Sequence, residues 1–115
     1  MDNENEKVKI YYTREFKRNI RKLRKKFRNI KNDIQPVIDD LKQNITLGDQ
    51  IPKIDYTVFK VRVKNTDISK GKRSGYRLIY YMKIKNEIIL VTIYSKSDQG
   101  DISITKLQKI IKEFN

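Results

Sequence analysis

The residues of this chain best suited to chemistry are cations on or beside predicted strands. In Val58-Phe59-Lys60-Val61-Arg62-Val63-Lys64, extended backbone puts Phe59, Val61 and Val63 on one side and Lys60, Arg62 and Lys64 on the other. Shortly after comes Lys70-Gly71-Lys72-Arg73-Ser74-Gly75-Tyr76-Arg77, four cations and two glycines in eight residues, running straight into Leu78-Ile79-Tyr80-Tyr81. Such a block predicts a flexible, positively charged loop whose last residue, Arg77, is fixed on a strand. Mobile charge that holds phosphate, followed by one placed guanidinium that acts on it, suits an RNA-processing site. It suits plain binding equally well.

Missing residue types narrow the chemistry. The chain has no His and no Cys, which removes the usual zinc sites and the Cys–His and Ser–His nucleophile pairs. Catalysis must run on Lys, Arg, Tyr, Asp or Glu, with no metal and no cofactor expected. Lys+Arg of 27 against Asp+Glu of 14 gives a formal net charge of +13, and the natural partner of such a surface is a polyanion. No apolar run approaches the length of a membrane span, so no membrane partner is expected. The acidic start Met1-Asp2-Asn3-Glu4-Asn5-Glu6 is unlike a signal peptide, and with the absence of Cys it points to a cytoplasmic protein.

These residues need a scaffold, and 115 residues suffice for one small domain, expected over 8–115 behind a disordered lead-in at 1–7. Val8 to Tyr12 reads as a first strand. Thr13 is a candidate N-cap for a helix striped by Phe16, Ile20, Leu23 and Phe27. A second helix carries Ile34, Val37, Ile38 and Leu41, capped by Asn32 or Asp33, with Pro36 in its first turn. Residues 45–56 read as a loop, and strands follow over 58–64, 76–84 and 87–95. The last of these is apolar enough to be covered on both faces. A final helix starts at the N-cap Ser103, with Ile102 and Leu107 placed as a hydrophobic staple. The order is β-α-α-β-β-β-α, an α+β fold whose antiparallel meander carries the helical hairpin on one face. The opposite face, with Lys60, Arg62, Lys64 and Arg77, is left open for function.

This order, with Phe59-Lys60-Val61-Arg62 on one strand and Gly71-Lys72-Arg73-Ser74-Gly75-Tyr76-Arg77 entering the next, resembles the RelE/ParE superfamily of bacterial toxins. The nearer likeness is to its HigB-like branch, and Ile93-Tyr94-Ser95-Lys96-Ser97-Asp98-Gln99-Gly100-Asp101 continues it. The motif-level match spans roughly residues 58–104. The resemblance implies a metal-independent endoribonuclease that enters the A site of the 70S ribosome, contacts rRNA and cuts mRNA there. A cognate antitoxin protein would hold it in check. In such enzymes the ribose 2′-hydroxyl attacks the adjacent phosphate. Arg77 would then be the phosphate clamp and Arg62 a second one, because a planar guanidinium can grip two phosphate oxygens. Lys60 or Lys96 would move protons, and Tyr94 would serve as acid or as stacking partner for a base. A lysine, with an ordinary pKa of about 10.4, acts as a base only where neighbouring cations depress it.

The chain departs from the family pattern at Ser97, where some relatives carry arginine, and in having no tyrosine after Tyr94. The remaining cations read as an RNA-binding footprint: Lys64, Lys70, Lys72 and Arg73 near the loop, and Arg21 and Lys25 on the first helix. Two rival readings share these residues. One is a ParE-like poison of DNA gyrase, which lacks such a set of catalytic cations. The other is an inert basic protein that binds RNA or an acidic partner.

Overall fold

The computed structural model describes residues 7–68 and 74–115. The lead-in at 1–6 and the loop cations Lys70, Lys72 and Arg73 lie outside the described residues. The elements run β1 (Lys9–Tyr12), α1 (Arg14–Lys26), α2 (Ile30–Lys42), β2 (Asp49–Gln50), β3 (Val58–Val63), β4 (Tyr76–Ile84), β5 (Glu87–Ser95) and α3 (Ile104–Phe114). They build a mixed α/β protein on one five-stranded sheet of order β1-β5-β4-β3-β2. β3, β4 and β5 form the expected antiparallel meander, while β1 joins the far edge parallel to β5.

Two departures from the expected elements have local causes. The 45–56 segment is not all loop: β2 pairs with β3 through Asp49↔Lys60 and Gln50↔Phe59. Gly48 permits this, at φ +81° and so close that a Cβ there would lie 2.3 Å from the Lys60 carbonyl oxygen. α2 starts at Ile30, earlier than Asn32 or Asp33 would place it, so Pro36 lies inside the helix. The proline is exposed, as is Asn32, the residue whose carbonyl would otherwise receive its N–H. Asp33 does not cap the helix; it accepts from the Thr66 N–H and hydroxyl (2.9 and 2.8 Å), while the Asn29 N–H donates to Asp67 (2.9 Å). The helix start is thus tied down from the loop after β3.

The sheet is covered on both sides, which corrects the expectation of one open face. Phe16, Phe27, Ile30 and Leu41 of the hairpin region bury against Val61, Val63, Leu78, Tyr80 and Leu90. On the other side Leu107, Ile110 and Ile111 of α3 bury against Val58, Ile79, Ile89 and Val91. Both helix starts follow the sequence: the Phe16 N–H donates to Thr13 Oγ1 and the Lys106 N–H to Ser103 Oγ. α3 and Ile102, with Ile51, Ile54 and Tyr56 from the segment before β3, cover this face and leave Lys60 and Arg62 at its margin. No helix among the described residues is long and apolar enough to cross a membrane.

Candidate active site

The strand alternation carries Lys60 and Arg62 to the α3 side of the sheet, and the register sets Arg62 opposite Arg77 and Arg77 opposite Tyr94. Three strands thus contribute one row of functional side chains. A β-bulge puts Tyr94 there. Ile79 pairs with Thr92 but Tyr80 with Leu90, so Val91 is an extra residue on β5 and resets the alternation beyond it. Ile88, Leu90 and Ile93 consequently face the hairpin, while Ile89, Val91 and Tyr94 face α3. Without the extra residue Tyr94 would share the side of Leu90. The bulge is held from α1: Thr13 Oγ1 donates to the Val91 carbonyl (2.6 Å), and Asn19 Nδ2 donates to Thr92 Oγ1 and the Ile93 carbonyl, both at 3.1 Å.

Beside this row lies a cleft of about 370 Å³ whose walls include Lys60, Arg62, Tyr94, Asp101 and the β2 backbone. One of its walls offers a carboxylate oxygen on which three side chains converge. Lys60 Nζ lies 3.5 Å, Lys96 Nζ 3.3 Å and the Tyr94 hydroxyl 3.5 Å from the same atom, Asp101 Oδ1. Lys96 sits just past the end of β5, where its N–H donates to the Gly75 carbonyl (2.9 Å) and extends the ladder with β4. On the other side Gly75 approaches the end of β3 too closely for a side chain: a Cβ would lie 2.1 Å from the Val63 carbonyl oxygen.

The environment separates the roles of these groups. Burial pushes the Tyr94 phenol above the ordinary value of 10.0; the Asp101 charge adds to this and the Arg77 charge opposes it. Tyr94 therefore enters neutral solution protonated, a proton donor rather than a base. The residue is 4% exposed, so it offers a base no stacking face. The hydrogen bond from Lys96, then the charge of Lys60, hold the Asp101 carboxyl below its ordinary range. Asp101 is a charged acceptor at neutral pH.

Of the expected site residues, Lys60, Arg62, Arg77, Tyr94 and Lys96 come together. Arg77 occupies a different depth from the one expected: it is 5% exposed, and its Nη1 donates to the Tyr76 carbonyl (3.2 Å). It lies buried in the sheet between Arg62 and Tyr94 instead of standing open beside Lys60. Lys64 follows β3 and is exposed outside the cleft walls. Arg21 and Lys25 are exposed on α1, and Arg21 lines a groove with Tyr12, Ile20, Lys31 and Ile34, against the hairpin. They stand apart from the cluster. A second cleft, about 420 Å³, continues from Tyr94 and Ile102 to Arg18, Lys22, Lys26 and Lys106. Helical spacing could have singled out the stripe at 18, 22 and 26. Asp101 gave no sequence signal, because its importance lies in a loop's return to two lysines far apart in the chain. Among the described residues, no group of three metal-ligating side chains comes together.

Neither protein-family models nor curated proteins give a match to this chain.

Proposed function

We propose that this protein is a toxin-type endoribonuclease of the RelE/HigB kind, cutting mRNA in the ribosomal A site without a metal ion and restrained by a cognate antitoxin. The observation that carries the reading is the convergence of Lys60, Lys96 and Tyr94 on one oxygen position at the edge of the cleft that also holds Arg62. Two ammonium groups and one protonated phenol are what a phosphodiester needs when charge builds on its non-bridging oxygens. In the proposed reaction the 2′-oxygen bonds to phosphorus as its proton passes to solvent, while Lys60 and Lys96 stay charged against the non-bridging oxygens. The P–O5′ bond breaks, and the leaving oxygen takes a proton from Tyr94, leaving a 2′,3′-cyclic phosphate and a 5′-hydroxyl. Arg62 grips the phosphate from the cleft wall, and Arg77 supplies positive charge from within the sheet.

The cations of α1 and α3 supply salt-sensitive affinity for rRNA and mRNA backbone without sequence choice. Primer extension on mRNA after induction of the chain in growing cells tests the reading. Translation-dependent, codon-aligned cuts are expected from the native chain and not from Lys60→Ala or Lys96→Ala. Intact mRNA with arrested DNA replication would favour a gyrase poison, and growth arrest with neither effect would favour an inert RNA binder.

A further inference from the structure

The oxygen on which Lys60, Lys96 and Tyr94 converge belongs to the protein itself. Asp101 sits between the end of β5 and the cap of α3, in the segment Ser97-Asp98-Gln99-Gly100-Asp101-Ile102-Ser103. Its side chain is 63% exposed, and apart from Lys60, Lys96 and Tyr94 no side chain pairs with it among the described contacts. A carboxylate oxygen receiving two ammonium groups and a hydroxyl has the same charge and acceptor character as a non-bridging phosphate oxygen. The seat is therefore an anion site, and it is filled from within.

We propose that Asp101 is an internal competitor, its Oδ1 standing where a phosphate oxygen of a nucleic-acid backbone binds, so that phosphodiester and carboxylate exclude one another. The inference rests on the proposed nuclease reading for its ligand class, but not for the existence of the seat. Displacement is structurally cheap. The side chain is largely solvated, and a change of rotamer carries its carboxylate out of the seat without moving the backbone. The backbone just before it is also open, with nothing packed within 4 Å of where a Gly100 Cβ would be. The segment is held on either side: Lys26 pairs with Asp98 at 2.9 Å, and Ile102 packs into the α3 core. The consequence is a protein whose affinity for free RNA is held down, with full occupancy of the seat reserved for a backbone presented at high local concentration and in the right orientation, as on a ribosome.

The test uses the full chain, a short 2′-O-methyl RNA that cannot be cleaved, and inorganic phosphate as the minimal probe. Asp101→Asn removes the competing charge from the seat, whereas Asp98→Asn removes the same charge from the same segment outside it. Expected is an increase in RNA affinity on the order of tenfold for Asp101→Asn, since one unit charge a few ångströms from the bound phosphate is worth about that much at a protein surface. The salt dependence should steepen by about 0.7 in log–log slope, as for one more neutralised phosphate on a single strand. Inorganic phosphate should follow the same order of variants. Equal gains for the two variants would reduce the effect to net charge and overturn the proposal. Weaker binding by Asp101→Asn would overturn it too, making Asp101 a residue that positions the lysines. Lys96→Ala combined with Asp101→Asn should lose most of the gain, and retention of the gain would place the seat elsewhere. Because no ribosome or cleavage enters these measurements, the two readings fail separately. Tight binding by Asp101→Asn with no cleavage by any form would leave the seat standing and remove the nuclease; cleavage by the native chain with no change on Asp101→Asn would do the reverse.

Discussion

The two faces of the sheet are built from the same strands and do different work. On the hairpin side, side chains from α1 and α2 fill the space against β3, β4 and β5, and the tyrosines serve structure. The Tyr80 hydroxyl donates to the Leu47 carbonyl (2.7 Å) and accepts from the Leu47 N–H (2.9 Å), fixing the segment before β2. On the α3 side, one helix and the segment before β3 cover the apolar part of the sheet, and the margin they leave holds Lys60, Arg62 and the Asp101 carboxylate. A helical pair can close an apolar surface; one short helix and a loop segment leave a margin, and the margin is where the charges gather. The faces are nonetheless coupled, because α1 holds the bulge that turns Tyr94 towards the cleft.

The sharpest way to separate them is to empty one core position on the hairpin side. Leu78 is fully buried there, and Leu78→Ala should cost about 2–5 kcal/mol through lost burial and a residual cavity. Chemical denaturation measures this, and cleavage should fall only in proportion to the unfolded fraction. Lys60→Ala is the mirror experiment. Stability should change by no more than about 0.5 kcal/mol, as for a surface substitution, while ribosome-dependent cleavage drops on the order of 10²–10³-fold. If Lys60→Ala instead unfolds the protein, the division of labour between the faces is wrong.

How far this division could be read in advance differs by element. Strand alternation was legible because Lys60 and Arg62 interrupt apolar residues at a period of two, and the caps at Thr13 and Ser103 were legible because their hydroxyls act within three residues. The bulge at Val91 was not. A continuous apolar strand gives no alternation to break, and the residues that hold the bulge lie on α1. The start of α2 was misplaced for a related reason, since its tie comes from Asp67 on a loop 38 residues away. Asp101 was missed because convergence on one atom is a property of three-dimensional closure: Lys60 and Lys96 are separated by a whole hairpin.

Coupling between the faces is tested at Thr13. Its hydroxyl caps α1 and also donates to the bulge carbonyl, so Thr13→Ala should cost about 1 kcal/mol as a lost cap. It should also reduce cleavage beyond what that instability explains, since Val91 is freed and Tyr94 loses its fixed aim. Thr13→Ser keeps the hydroxyl and should restore both. A stability loss without any added effect on cleavage would show the faces to be independent.

The smallest effect is proton-linked, and it reports on the faces from opposite ends of the pH scale. Tyr80 on the hairpin side and Tyr94 on the cleft side both lie above the ordinary 10.0, chiefly through burial. A group raised in the folded state favours folding below its unfolded value, and that contribution is lost as pH rises past 10.0. Alkaline unfolding should therefore shift with Tyr80→Phe and with Tyr94→Phe alike. Asp101 behaves the other way. Its carboxyl is depressed from 3.8 by Lys96 and Lys60, so its contribution is present above 3.8 and lost as pH falls through the folded value. Because the side chain is mostly solvated, the change should be within the range of surface ion pairs, under about 1 kcal/mol. Asp101→Asn should remove that acid-side slope and also reduce the Tyr94 part of the alkaline one, because the Asp101 charge helps to raise that phenol, while the Tyr80 part stays. An acid slope that survives the substitution would mean that Lys60 and Lys96 are not held by Asp101 in solution.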